Sequence, residues 1–230
     1  MSPYIIGTFL FGGNMIKRII FDQDNTLMIW KTEYDDTYKY ALDELGVKYS
    51  KEELDKLIDT VNNYEKYYDV FDKKNMADLI NDNCIIKVPS NFVDVWMKYL
   101  CNCYCEEDKS IIPTLEYLSK KYELVILSNW FSYSQIERLK KLGIDKYFTE
   151  MIFTDKVKNK PNKDTFIKAC GSHKPEECIM VGDSMNIDIN GAINAGLRGI
   201  LLDPKGMYEY NDKIKSIKEL EEILWNFMMN

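Results

Sequence analysis

The chain has 230 residues, 46% of them hydrophobic and 29% charged, and 30 basic against 37 acidic side chains give a formal net charge of −7. That balance offers no cationic footprint for a nucleic-acid backbone, and the hydrophobic content is ample for a core, so neither a nucleic-acid binder nor a disordered chain fits. No run approaches the roughly 18 consecutive apolar residues of a helical membrane span, and the length suits one large domain or a domain with an insert.

Residues 1–14 lack a basic n-region and an A-x-A-like cleavage site, so they do not read as a signal peptide. Met15 is the expected functional start, with 1–14 an N-terminal extension. Ile19-Ile20-Phe21 then reads as a buried parallel strand that ends abruptly in Asp22-Gln23-Asp24. Strand side chains alternate faces, so the two carboxylates set out on the same side. At the carboxyl end of a strand they occupy the place where open α/β sheets bind ligands. Carboxylates this close repel unless a cation or proton intervenes, which suggests Mg²⁺ and a nucleophile/acid pair. An EF-hand loop does not fit, because Leu27 stands where that loop needs glycine.

After a short connection over 26–31 the periodicity turns helical. A helix is predicted over 32–45, stopped by Gly46. Ser50-Lys51-Glu52-Glu53 is a capping box that opens a helix with Leu54, Leu57, Ile58 and Val61 on one face. Helices over 71–80 and 91–105 complete the set. Tyr64, Tyr67, Tyr68, Tyr99 and Tyr104 are expected to pack within it, with one or two available to a pocket. Cys101, Cys103 and Cys105 form a C-x-C-x-C cluster. On the expected helix Cys103 faces away from the other two, which favours small buried hydrophobes over a soft-metal site. All six cysteines are expected to be reduced thiols in a cytoplasmic protein.

Strands and helices alternate from there: a strand over 123–127, a helix over 134–142 ended by Gly143, and strands near 151–153, 178–181 and 199–202. A final amphipathic helix is predicted over 216–228. This alternation predicts a three-layer α/β fold with a mostly parallel sheet. The single histidine, His173, falls in a predicted loop and is expected to be solvated. No cysteine is followed by an arginine six positions on, which removes the cysteine-phosphatase signature.

Four separated stretches carry a resemblance. They are Asp22-Gln23-Asp24-Asn25-Thr26-Leu27, then Leu124-Val125-Ile126-Leu127-Ser128-Asn129, then Lys160-Pro161 ahead of a helix over 163–170. The fourth is Ile179-Met180-Val181-Gly182-Asp183-Ser184-Met185-Asn186-Ile187-Asp188, running into Gly191-Ala192 and Ala195-Gly196. In this order they resemble the haloacid dehalogenase superfamily, in its phosphatase branch, over residues 15–203. The resemblance implies a Rossmann-like catalytic core from 15–31 and 106–230, and a helical cap over 32–105 inserted after the first strand. It also implies Mg²⁺-dependent hydrolysis of a small phosphate monoester, a sugar phosphate or nucleotide, through an aspartyl-phosphate.

By the same resemblance Asp22 is the nucleophile, and Asp24 protonates the leaving alkoxide and then deprotonates the hydrolytic water. Mg²⁺ ligands are the Asp22 carboxylate, the Asp24 main-chain carbonyl and the Asp183 carboxylate, with Asp188 orienting metal-bound water or the lysine. The Ser128 hydroxyl and Asn129 N–H bind phosphoryl oxygens. Lys160 is favoured over Lys156 and Lys158 as the cation facing Asp22 and the phosphoryl group. Asp24 argues against the dehalogenase branch, which has no leaving alcohol to protonate. A sugar phosphomutase uses the same two aspartates and stays open, as does a non-catalytic binding role on the same fold. Specificity is expected from the cap, the 28–31 connection and Trp130. Trp30 and Trp130 suit either core packing or stacking on a substrate. The expected partner is a small phosphorylated molecule, with neither nucleic acid nor membrane involved and the oligomeric state not legible.

Overall fold

Three short apolar strands with both faces covered set the frame. In the computed structural model, which describes residues 10–11, 14–30, 34–103, 105–106 and 108–229, they are the centre of a six-stranded sheet. In chain order the elements are β1 (Leu10–Phe11), β2 (Asn14–Met15), β3 (Arg18–Phe21), β4 (Ile29–Trp30), α1 (Asp36–Glu44), α2 (Lys51–Asn62), α3 (Lys73–Asn83), α4 (Phe92–Leu100), β5 (Cys105–Glu106) and α5 (Ile111–Leu118). There follow β6 (Glu123–Ser128), α6 (Ser132–Lys141), β7 (Glu150–Phe153), α7 (Lys163–Cys170), β8 (Cys178–Gly182), α8 (Asn190–Ala195), β9 (Arg198–Leu202), β10 (Lys213–Ile214) and α9 (Leu220–Met229). The sheet order is β10-β9-β8-β3-β6-β7, and every pairing is parallel.

Alternation along β3 builds the layers. Ile19 and Phe21 join Leu124, Ile126, Ile179 and Val181 on one face, under α5 and α9, while Ile20 joins Val125, Leu127 and Met180 against Phe166 of α7 and Ala192 of α8. Helices on both faces of a parallel sheet give the three-layer α/β fold expected of the sequence. Register then fixes the site. Phe21 pairs with Ile126 on one side and Val181 on the other, so the chain leaves β3, β6 and β8 at one level. The strand order also diverges at β3, and such a switch point is where open sheets bind ligands.

The four helices α1–α4 surround an apolar cluster of their own, centred on Tyr38, Leu57, Tyr64, Ile80, Phe92 and Trp96. The Ser50–Glu53 capping box forms as predicted, with both reciprocal hydrogen bonds present. The predicted helix over 91–105 stops at Leu100 instead. The Asn102 side chain donates to the Lys98 carbonyl at 2.8 Å and closes the last turn, and Cys105 belongs to β5, antiparallel to β4. The C-x-C-x-C cluster therefore straddles a helix end, a turn and a strand, because Cys and Asn are weak helix formers and the chain must return to the sheet here.

The β6–α6 connection reaches into this helical unit. Phe131 is 2% exposed within the helical cluster, with ring centroids 5.6 Å from both Phe71 and Trp130. Phe131→Ala should cost about 3–5 kcal/mol, the usual range for emptying a buried aromatic site. A denaturant midpoint unchanged from the parent would refute that.

Other differences are local. Residues 1–9 and 12–13 lie outside the described residues, as do 31–33, where the first helix was expected to begin, and Tyr104. Within the predicted extension, β1 pairs antiparallel with β2 and lies against α9, so the expected boundary after residue 14 falls inside β2. The final helix starts at Leu220, after a 3₁₀ turn Ile217–Glu219. His173 is partly buried rather than solvated, its Nε2 3.2 Å from Glu123 Oε2. Tyr64 is buried and stacks on Phe71, whereas Tyr67 is exposed. Among the described residues no helix is long and apolar enough to cross a membrane.

Candidate active site

Asp22 still pairs with the sheet, its N–H donating to the Val181 carbonyl at 2.9 Å. The chain then turns sharply. The Gln23 carbonyl accepts the N–H groups of Thr26, Leu27 and Met28, with Asn25 at φ 59° in the left-handed region that Asn tolerates. The turn folds Thr26 back, so that its hydroxyl donates to Asp22 Oδ2 at 3.3 Å and sits 3.5 Å from Asp183 Oδ1.

Lys160 enters from the β7–α7 connection. Its ammonium donates to Asp22 Oδ1 at 2.7 Å and to Asp188 Oδ1 at 2.6 Å, and its side chain is 2% exposed. The Lys156 and Lys158 side chains are 74% and 52% exposed, so the lysine that reaches the cluster is Lys160. The Asn129 side chain holds the Lys160 peptide from both sides: Nδ2 donates to the Lys160 carbonyl at 3.0 Å and Oδ1 accepts the Lys160 N–H at 2.8 Å. The sequence pointed to the Asn129 main-chain N–H, not to this use of its amide.

Asp183 follows β8, and a π-helical turn, Met185–Ile189, returns Asp188 beneath it. Asp188 Oδ2 accepts the Ser184 N–H at 3.1 Å. Only glycine fits at position 182, since a Cβ there would stand 2.4 Å from Asp188 Oδ2.

Ligand oxygens of Asp22, Asp183 and Asp188 lie within 4.8 Å of one another. Burial raises the Asp22 pKa to about 8 against the pull of Lys160, and Asp188 adds to the rise. Asp183 is pushed up to about 6 by burial and then by Asp188. Burial disfavours the Lys160 ammonium, but Asp188 and Asp22 more than offset it and hold its pKa above the ordinary value. Three carboxyl groups thus crowd one ammonium, too little positive charge for all of them to ionise, and a cation bound among them would favour their ionised forms. The donors are hard oxygens, as Mg²⁺ requires. Asp22, Asp183 and Asp188 are the residues that could hold such an ion, with Lys160 already bonded to Asp22 and Asp188.

Asp24 points elsewhere. Its carboxylate accepts Arg138 Nη1 at 2.7 Å and Nη2 at 3.0 Å, and Gln135 Nε2 at 2.8 Å, so it stands apart from the three-carboxylate group. Gln135 Nε2 also donates to Ser128 Oγ at 2.8 Å, which ties the end of β6 to Asp24. Neither Gln135 nor Arg138 was singled out by the sequence. The available signal was two polar residues one turn apart on α6, on the face that also carries buried Leu139.

A cavity of about 220 Å³ opens beside Asp24, lined by Asp24, Tyr34, Leu100, Asn129, Trp130 and Arg138. Trp130 also packs on Trp96 and Phe71 of the helical unit, so one side chain serves both the core and the cavity wall. The Trp30 backbone lies in β4. Exposed Glu65 accepts Asn129 Nδ2 at 3.0 Å. The segment after Glu65 is hydrogen-bonded to the stretch before Lys160: Phe71 N–H to the Thr154 carbonyl at 2.8 Å, and Asn159 N–H to the Asp69 carbonyl at 2.6 Å.

A family model described as haloacid dehalogenase-like hydrolase matches residues 19–202. Over 232 aligned residues the chain is 29% identical to a glyceraldehyde 3-phosphate phosphatase of Methanothermobacter thermautotrophicus, covering 91% of this chain and 100% of that one. It is 26% identical to a phosphorylated carbohydrates phosphatase of Thermotoga maritima, over 80% of this chain and 84% of the relative. Among solved structures, a HAD phosphatase from Thermococcus onnurineus superposes with a TM-score of 0.67 at 28% identity, over 91% of this chain and 98% of the other.

Proposed function

Since the chain belongs to the haloacid dehalogenase-like hydrolase family and is a phosphoric monoester hydrolase of it, we propose that it hydrolyses a small sugar phosphate through an aspartyl-phosphate on Asp22. The observation that carries this reading is the buried Lys160 ammonium shared by Asp22 and Asp188, with Asp183 beside them, at the carboxyl ends of adjacent parallel strands. In it residues 15–31 and 106–230 are the catalytic core and 32–105 the cap.

Asp22 attacks phosphorus as the bond to the leaving oxygen breaks, and Asp24 gives that oxygen its proton. Asp24 then takes a proton from the water that attacks the phosphoenzyme, and the phosphorus–oxygen bond to Asp22 breaks to release phosphate. Splitting one difficult displacement in two is what a carboxylate nucleophile contributes. Lys160 holds Asp22 from one side and supplies positive charge toward the phosphoryl oxygens, which the Ser128 hydroxyl and Asn129 N–H also bind. Asp22, the Asp24 carbonyl and Asp183 would hold Mg²⁺, which when bound offsets phosphoryl charge.

The cavity favours a compact, neutral leaving group. Its acid, Asp24, and its cation, Arg138, are paired to each other, so no unpaired cation awaits a second anion there among the lining residues, and Tyr34, Leu100 and Trp130 supply apolar wall. Two of the relatives are named for carbohydrate phosphates. A cytoplasmic setting accords with six free cysteines.

Phosphate release from a panel of triose, hexose and nucleoside monophosphates, with Mg²⁺ or EDTA, tests this reading. Mg²⁺-dependent release fastest on the sugar phosphates is expected. Mg²⁺ should also raise the melting temperature of the parent protein, because it binds only the folded state, and should fail to do so in Asp183→Asn. Phosphoryl transfer between hydroxyls without free phosphate would instead identify a phosphomutase.

A further inference from the structure

Asp24 is held from α6, far along the chain, rather than by its own turn. Its carboxylate receives three N–H bonds, two from Arg138 at 2.7 and 3.0 Å and one from Gln135 at 2.8 Å. The Arg138 side chain is 2% exposed and that of Asp24 28%, so the guanidinium is buried and its partner reaches the cavity. A guanidinium is not left in such a place without a matched anion, because the loss of hydration would go uncompensated. Bidentate pairing also fixes the plane of the carboxylate, which a single lysine contact would not.

A carboxylate offers about four acceptor directions. Oδ2 uses two of them, on Arg138 Nη2 and Gln135 Nε2, while Oδ1 uses one, on Arg138 Nη1. Among the described residues, one direction on Oδ1 therefore remains for proton exchange. Gln135 binds Ser128 Oγ with the same amide that binds Asp24, so the proton-carrying group is aligned with a group assigned to the phosphoryl oxygens.

We propose that Arg138 is a positioning residue for catalysis: it holds Asp24 at the cavity wall, apart from Asp22, Asp183 and Asp188, and presents Oδ1 to the oxygen of the leaving group. This rests on Asp24 being the acid. Its signature is leaving-group dependence, because an alkoxide needs a proton to depart and 4-nitrophenolate does not.

The experiment is the first-turnover rate of phosphoenzyme formation, with Mg²⁺, from a triose phosphate and from 4-nitrophenyl phosphate. Arg138→Met should slow the triose phosphate about 10²-fold, within the range of general acid catalysis, and the aryl ester far less. Arg138→Lys should show the same selectivity in smaller degree, and it serves as the test if the Met variant does not fold. Equal slowing of both esters, or none, in a folded variant would overturn the proposal. Asp24→Asn run alongside separates the two ideas: if it too spares the triose phosphate, the assignment of Asp24 as acid fails, whatever Arg138 does.

Discussion

Asp22→Asn should abolish turnover, by roughly 10⁴-fold or more on the scale of nucleophile deletions, while the fold survives. The amide cannot form the acyl-phosphate, yet it keeps the shape and still accepts from the Lys160 ammonium. The carboxylate it replaces is buried, with its pKa raised to about 8, so the ionised form is disfavoured there and removing it relieves the folded state. The metal-free variant should therefore melt no lower than its parent, read by circular dichroism in EDTA. Phosphate release at the parental rate would end the covalent mechanism. Loss of the folded signal would show instead that Asp22 is needed for structure.

Lys160→Met tests the opposite charge. It leaves Asp22 and Asp188 without their shared cation, with Asp183 alongside. Breaking a buried ion pair by removing one partner is expected to destabilise by about 3–5 kcal/mol, because the remaining charge is neither hydrated nor paired. Turnover should fall by roughly 10²–10³-fold, the scale for losing one preorganised stabiliser of transition-state charge. Mg²⁺ should recover part of the stability and little of the rate, since it balances the carboxylates without taking up the lysine's place. Melting in EDTA and in Mg²⁺, with phosphate release, reads both effects. A variant as stable and active as its parent would show that the ammonium serves neither purpose.

Much of the candidate site was legible because the residues concerned stand at strand ends. A parallel strand buried on both faces must be a short apolar run, as at Ile19-Ile20-Phe21, Leu124-Val125-Ile126-Leu127 and Ile179-Met180-Val181. Polar residues placed directly after such runs gather at one edge of the sheet, which marked Asp22 and Asp24; the motif resemblance then added Ser128, Asn129 and Asp183 to the group. Helical periodicity separated the insert from the sheet in the same way, and the capping box at Ser50 marked one of its helices.

By itself, then, the sequence determined the three-layer α/β fold, because burial of a face leaves a periodic trace in the residues that form it, while four motifs in order carried the resemblance to the family and, with it, the candidate residues. Only the tertiary structure decided which partner each polar group meets. It buried Lys160, the lysine the motif resemblance favoured, between Asp22 and Asp188. It joined Asp24 to Arg138, which is 114 residues away, set Phe131 into the helical cluster, and turned Cys105 from helix to strand. The two-residue strands β4, β5 and β10 are too short to show a period. Periodicity records that a side chain is buried; the identity of what it touches is fixed only when distant elements pack.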